Sequence, residues 1–163
     1  MNTRVKQLQK DLAQRSVDGI LVTDPYNISY LADYKCRDAY LVITKKEAVY
    51  ITDGRYTQEM KKNLSGFTVT DIKPSFSQVM ADVCRTRRIN RLGFEDQNVT
   101  YSLYNRLCKA IPAEMVPLSG MIEALRLIKT PDEIAKIRVA TQIAMQSYHY
   151  IQDFLKPGVK EIE

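Results

Sequence analysis

The sequence has no tryptophan, one histidine and three cysteines, with six glycines and six prolines in 163 residues. Cys36, Cys84 and Cys108 are odd in number and far apart. No CxxC or Cys/His spacing exists, so neither a disulfide framework nor a zinc site is readable, and a reducing cytoplasm is the expected setting. With His149 alone, a histidine-based catalytic or metal site built within this chain is not expected. No apolar run approaches the roughly 18 residues of a membrane span. The N-terminal stretch MNTRVKQLQKDLAQR lacks the apolar core of a secretion signal, so no membrane association is expected. What is present is ordinary globular usage: 45% hydrophobic residues, 26% charged, and a net charge of +5 that permits an anionic partner without requiring one.

Val5, Leu8 and Leu12 recur at helical spacing, and Gly19–Thr23 (GILVT) follows as a buried strand. Asp24 before Pro25 is a helix start, predicting a short helix over 25–32. Two β-rich runs, 39–44 and 48–52, flank Lys45-Lys46-Glu47 and predict an antiparallel hairpin. Beyond Asp53-Gly54 the pattern alternates helix and strand, with strands at 67–72 and 91–95, helices near 76–87 and up to 110, and a short last strand at 114–116. The fold class is therefore α/β: a mixed parallel and antiparallel sheet with helices on both faces. Thr130-Pro131-Asp132-Glu133 is a capping box that opens a long helix to about residue 155, carrying Ile134, Ile137, Ala140, Ala144, Tyr148, Ile151 and Leu155 at spacings of three and four. Pro157-Gly158 stops it, and a new segment begins at once, so the chain is expected to continue into a longer protein.

Asp24, Asp53 and Glu95 stand at predicted strand ends, where ligands collect in open α/β sheets, and such carboxylates could serve a small two-metal nuclease. Helix capping is the commoner use of the two aspartates. Asp53 and Arg55 read as a charge-assisted pair at a turn, with recognition of a ligand carboxylate as the functional alternative. Arg85, Arg87, Arg88 and Arg91 form a basic cluster without interleaved aromatics, which favours a solvated helix end over an RNA-binding module. His149 with Asp153 one turn on has too few donors for a metal site. The polar loop 33–38, with Tyr34, Arg37 and Asp38, is the candidate for contact with substrate or with a partner's active site.

Four pieces in order then carry a resemblance: Asn27 with Tyr30-Leu31, Thr52-Asp53 with Arg55-Tyr56, Gly93-Phe94-Glu95, and Arg126 with Ile128-Lys129 and Glu133-Ile134. Together they resemble the N-terminal, creatinase-like part of Xaa-Pro aminopeptidases and proline dipeptidases of the pita-bread metallopeptidase family. The resemblance implies a non-catalytic α/β domain over 1–125, followed by a linker and the first helix of a catalytic domain over 126–163. It also implies a cytoplasmic homodimeric parent enzyme that acts on proline-containing peptides, with no nucleic acid and no membrane involved. That parent would hold two divalent metals (manganese, zinc or cobalt) on two Asp, one His and two Glu that lie beyond residue 163. No catalytic or metal-binding residue is therefore expected here. Asn27, Tyr30, Asp53, Arg55 and Tyr56 are taken as structural motif residues. Ala32-Asp33 stands where the family often has a glycine, which leaves the shape of the following loop open.

Overall fold

The computed structural model describes residues 3–35 and 38–160. It divides into two compact units, residues 1–126 and 127–163. The first is built on six strands: β1 Gly19–Val22, β2 Ala39–Thr44, β3 Ala48–Thr52, β4 Thr68–Asp71, β5 Arg91–Glu95 and β6 Glu114–Leu118. Their order across the sheet is β4-β3-β2-β1-β5-β6. β2 runs antiparallel to both neighbours, while β3–β4, β1–β5 and β5–β6 are parallel. Gly19 lets β1 lie this close to β2, because a Cβ there would sit 2.8 Å from the Ile43 carbonyl oxygen.

Alternate residues of the central strands feed two cores, one on each face. On one side Ile20, Val22, Leu41, Ile43 and Tyr50 pack beneath α1 (Thr3–Ala13), α2 (Pro25–Ala32), α3 (Gly54–Asn63) and α6 (Met121–Leu127). On the other, Leu21, Val42, Val49, Ile51, Leu92 and Phe94 pack beneath α4 (Phe76–Thr86) and α5 (Tyr101–Ala110). This is the mixed sheet with helices on both faces that the sequence pattern predicts. Val5, Leu8 and Leu12, the apolar stripe of α1, are fully buried.

The helix starts follow the expected chemistry. Asp24 Oδ1 accepts from the backbone N–H of Tyr26 and of Asn27, each at 2.8 Å, and Pro25 occupies the first turn of α2. Ser75 and Thr100 cap α4 and α5. The departure at Ala32-Asp33 costs the turn nothing in shape: Asp33 takes φ 52°, ψ 34°, the left-handed conformation open to glycine and, among other residues, most readily to Asn and Asp. Two elements differ from expectation. β6 runs on to Leu118, and residues 121–127, for which the sequence pattern predicts no element, form α6, whose Ile122 is fully buried in the first core.

The second unit contains α7 (Pro131–Phe154), opened by the expected capping box. Thr130 Oγ1 accepts from Glu133 N–H at 3.2 Å, and Glu133 Oε2 accepts from Thr130 N–H at 2.8 Å. No residue of α7 is buried. Its exposed apolar residues lie on two faces, Ile137, Tyr148 and Ile151 on one and Val139, Ile143 and Tyr150 on the other. Among the described residues no helix is long and apolar enough to cross a membrane.

Candidate functional site

β1, β3, β4 and β5 all point their C-terminal ends to one edge of the sheet, where β2 begins. That edge gathers Asp24, Asp38, Asp53, Asp71 and Glu95. Two clefts open there. One, of about 390 Å³, is lined by Thr23, Pro25, Asp38, Tyr40, Asp53, Arg55 and Ile72. The other, of about 180 Å³, is lined by Asp24, Glu95, Asp96, Asn98 and Glu123, with Leu118 and Gly120.

In the larger cleft Arg55 is the central polar group. Its Nε donates to Asp53 Oδ1 at 2.8 Å, and its Nη2 lies 3.5 Å from Asp38 Oδ2. Asp53 Oδ1 also accepts the Arg55 backbone N–H at 2.9 Å, so one carboxylate both caps α3 and orients the guanidinium. The backbone N–H of Arg55, and then its side chain, hold the Asp53 carboxyl below its ordinary value. The same pairing raises the Arg55 guanidinium. The guanidinium lies 5.3 Å from the centre of the Tyr56 ring. Asp38 is fixed from the backbone: it adopts φ 41°, and its carbonyl accepts the Thr52 hydroxyl at 3.1 Å. Such a residue, held in the left-handed region beside a cleft, belongs to the class of strained positions that gather at functional sites. Tyr40, stacked on Phe76 at 4.0 Å between ring centres, gives the cleft an aromatic wall.

Sequence alone left open whether the Asp53–Arg55 pair is shielded. It is not: the two side chains are 44% and 68% exposed. The pair thus sets the direction of Arg55 more than it holds the fold together. Of the candidate loop, Asp38 reaches Arg55, whereas Tyr34 donates its hydroxyl to Glu59 Oε1 at 2.7 Å, farther along α3. Arg37 lies outside the described residues, as does Cys36.

Beside the smaller cleft is a buried polar knot. Glu95 Oε2 accepts the backbone N–H of Thr23 at 2.6 Å and of Asp24 at 2.8 Å, and Glu95 Oε1 accepts from Asn27 Nδ2 at 2.6 Å. Asn27 Nδ2 donates also to Glu123 Oε1 at 2.5 Å, and Asn27 Oδ1 accepts from Arg126 Nη1 at 2.7 Å. The Tyr30 hydroxyl donates to the Leu125 carbonyl at 3.2 Å, and Arg4 lies over the Tyr30 ring, 4.4 Å from its centre. Asn27, Tyr30, Glu95 and Arg126, quoted separately for the resemblance, thus meet in one place and tie α2, β5 and α6 together. Glu123 and Thr23 complete the knot and were missed by sequence reasoning. The one signal for Glu123 is its position one helical turn before Arg126.

This arrangement can recognise charged groups; it is not built for a metal. Asp24 and Asp53 are used as helix caps, and Glu95 is filled by three N–H donors, so the three carboxylates proposed for a two-metal nuclease do not converge as ligands. Among the described residues no group of three or more His, Cys, Asp or Glu could hold a metal ion.

Comparison with known proteins agrees with this architecture. An uncharacterized peptidase of Bacillus subtilis, YqhT, is 35% identical over 160 residues, covering 98% of this chain and 45% of that protein. The structure of a Xaa-Pro dipeptidase from Bacillus anthracis superposes with a TM-score of 0.91 at 35% identity, over 98% of this chain and 45% of the other. The N-terminal domain of the cytoplasmic peptidase PepQ from Mycobacterium tuberculosis gives a TM-score of 0.69 at 26% identity, over 77% of this chain and 99% of the other. The chain thus spans less than half the length of the full-length relatives. Residues 4–128 match the model of the Creatinase/Prolidase N-terminal domain. The chain belongs to that family, and residues 4–128 are its Creatinase/Prolidase N-terminal domain.

Proposed function

We propose that this chain is the non-catalytic N-terminal domain of a metal-dependent peptidase that cleaves Xaa-Pro peptide bonds. The observation that carries this reading is the near-complete superposition of the chain on one part of a Xaa-Pro dipeptidase. In this reading residues 127–163 are the linker and first helix of the catalytic domain. The two divalent metals sit in that domain, in keeping with Asp24, Asp53 and Glu95 here being committed to caps and backbone N–H groups.

The role of the domain is to shape access to the catalytic centre and to support a homodimer. The rim formed by Asp38 and Arg55 faces the incoming peptide or the partner's active site. With Arg55 oriented by Asp53 through Nε and reached by Asp38 at Nη2, the exposed guanidinium can turn its other N–H groups to a peptide carboxylate. The enzyme works in the cytoplasm, a setting consistent with the free thiols of Cys84 and Cys108.

The test uses the longer enzyme that contains this chain. Changing both Arg37 and Asp38 to alanine is expected to raise KM for Xaa-Pro peptides or to shift the preferred peptide length, with the circular dichroism spectrum unchanged. Wild-type kinetics in that double variant would overturn the assigned role.

A further inference from the structure

The edge of the sheet opposite the candidate site has the reverse charge. There a cleft of about 300 Å³ is lined by Lys45, Lys46, Arg87 and Arg88, with Thr44, Thr86, Asp18 and Glu47. Four cations thus face two carboxylates. Asp18 is largely spent, since its Oδ2 accepts the backbone N–H of Asn90 at 2.9 Å and of Arg91 at 3.0 Å. Glu47 pairs with Arg87, Oε2 to Nε 3.2 Å.

The cations come from two unrelated elements. Lys45 and Lys46 stand on the β2–β3 turn, and Arg87 and Arg88 end α4. Arginine at a helix C-terminus complements the helix dipole, but that does not account for two lysines brought to the same cleft by a hairpin. Arg87 is also not the solvated side chain that the sequence suggests. It is 18% exposed, and its buried Nε, although close to Glu47, makes no aligned hydrogen bond. Arg88 adopts φ 53° at the helix-ending position where glycine is the usual residue. Its N–H bonds the Arg85 carbonyl at 3.2 Å, and Ile89 N–H bonds the Cys84 carbonyl at 2.9 Å. An arginine kept where glycine would fit better directs attention to its side chain.

We propose that this cleft is a binding site for a small phosphate-class oxyanion carrying at least two negative charges. Guanidinium forks and ammonium groups brought to one cleft by two unrelated elements suit tetrahedral oxygens. The site is separate from the Asp38–Arg55 cleft and does not depend on the function proposed above.

The test is a titration of the 163-residue chain with pyrophosphate at constant ionic strength, followed by amide ¹H–¹⁵N spectra. Saturable shifts confined to residues 44–47 and 86–88 are expected, together with a dose-dependent rise in Tm. Arg88→Gly removes the guanidinium and places glycine in the conformation that favours it. It should weaken binding at least about fivefold, by loss of one charge-assisted contact, without lowering the Tm of the unliganded chain. Lys45→Gln with Lys46→Gln should weaken binding as well. Linear, non-saturating shifts spread over surface lysines and arginines would overturn the proposal. So would an unchanged dissociation constant in Arg88→Gly. Tighter binding of a short single-stranded oligonucleotide than of pyrophosphate, with shifts extending beyond the cleft, would also overturn it in favour of nucleic-acid binding.

Discussion

Replacing Asn27 by alanine would remove the shared donor of Glu95 and Glu123 and the acceptor of Arg126 in one step. Asn27 is fully buried and Glu95 nearly so, so Glu95 loses a donor that little water can replace, whereas Glu123 is exposed and Arg126 half-buried. The expected cost is about 1–3 kcal/mol, because one buried charged partner loses a donor. Urea unfolding should register it as a lower midpoint at constant slope. Arg55→Ala should behave in the opposite way, leaving Tm nearly unchanged because the pair is exposed, while Asp53→Ala also loses the α3 cap and lowers Tm more. Thermal melts of the two variants side by side would check the order. Asp18 and Asp53 also carry a pH signature. Both are held below their ordinary value of 3.8, in each case chiefly by a backbone N–H, of Arg91 for Asp18 and of Arg55 for Asp53. A carboxyl with a depressed folded value favours folding at pH above its unfolded value. That contribution is lost as pH falls through the depressed folded value. Asp18→Asn should therefore flatten the fall of Tm below about pH 4. An acid limb as steep as in the wild type would remove Asp18 from the account.

At the scale of elements, α7 depends on its caps and propensity, since none of its residues is buried. Thr130→Ala breaks the capping box, a change typically worth about 0.5–2 kcal/mol of helix stability. Faster amide exchange in the first turns of α7 is expected, with no change in the protection of β1 or β5. The elements that the sequence made legible are those with strong local signals: Asp24-Pro25, Thr130-Pro131 and the alternating runs around Lys45-Lys46-Glu47. α6 was not legible, because its seven residues carry no capping motif and its stability comes from Ile122 in the core and from Asn27, 96 residues away from its partner Glu123. The three-and-four spacing in α7 marks a helix and one apolar face; Val139, Ile143 and Tyr150 form a second face outside that spacing.

At the scale of the molecule, strand order escaped the sequence because β1 pairs with β5 across some seventy residues, and parallel pairing leaves no local mark. The same non-local pairing assembles the edge that holds the candidate site. The resemblance names Asn27, Tyr30, Glu95 and Arg126 in three separate pieces, and only the folded sheet shows that they meet. The sheet also separates charge: carboxylates gather at the edge with Arg55, and lysines and arginines at the opposite edge. In the proposed reading this polarity gives one small domain two recognition surfaces, with the chemistry assigned to a part of the enzyme outside it. The most direct measurement of that claim is an assay of Xaa-Pro dipeptide hydrolysis by the 163-residue chain with excess manganese, zinc or cobalt, run beside the longer enzyme. The account predicts turnover by the longer enzyme and none by the chain. Metal-dependent cleavage by the chain alone, abolished by a chelator and restored by metal, would contradict it.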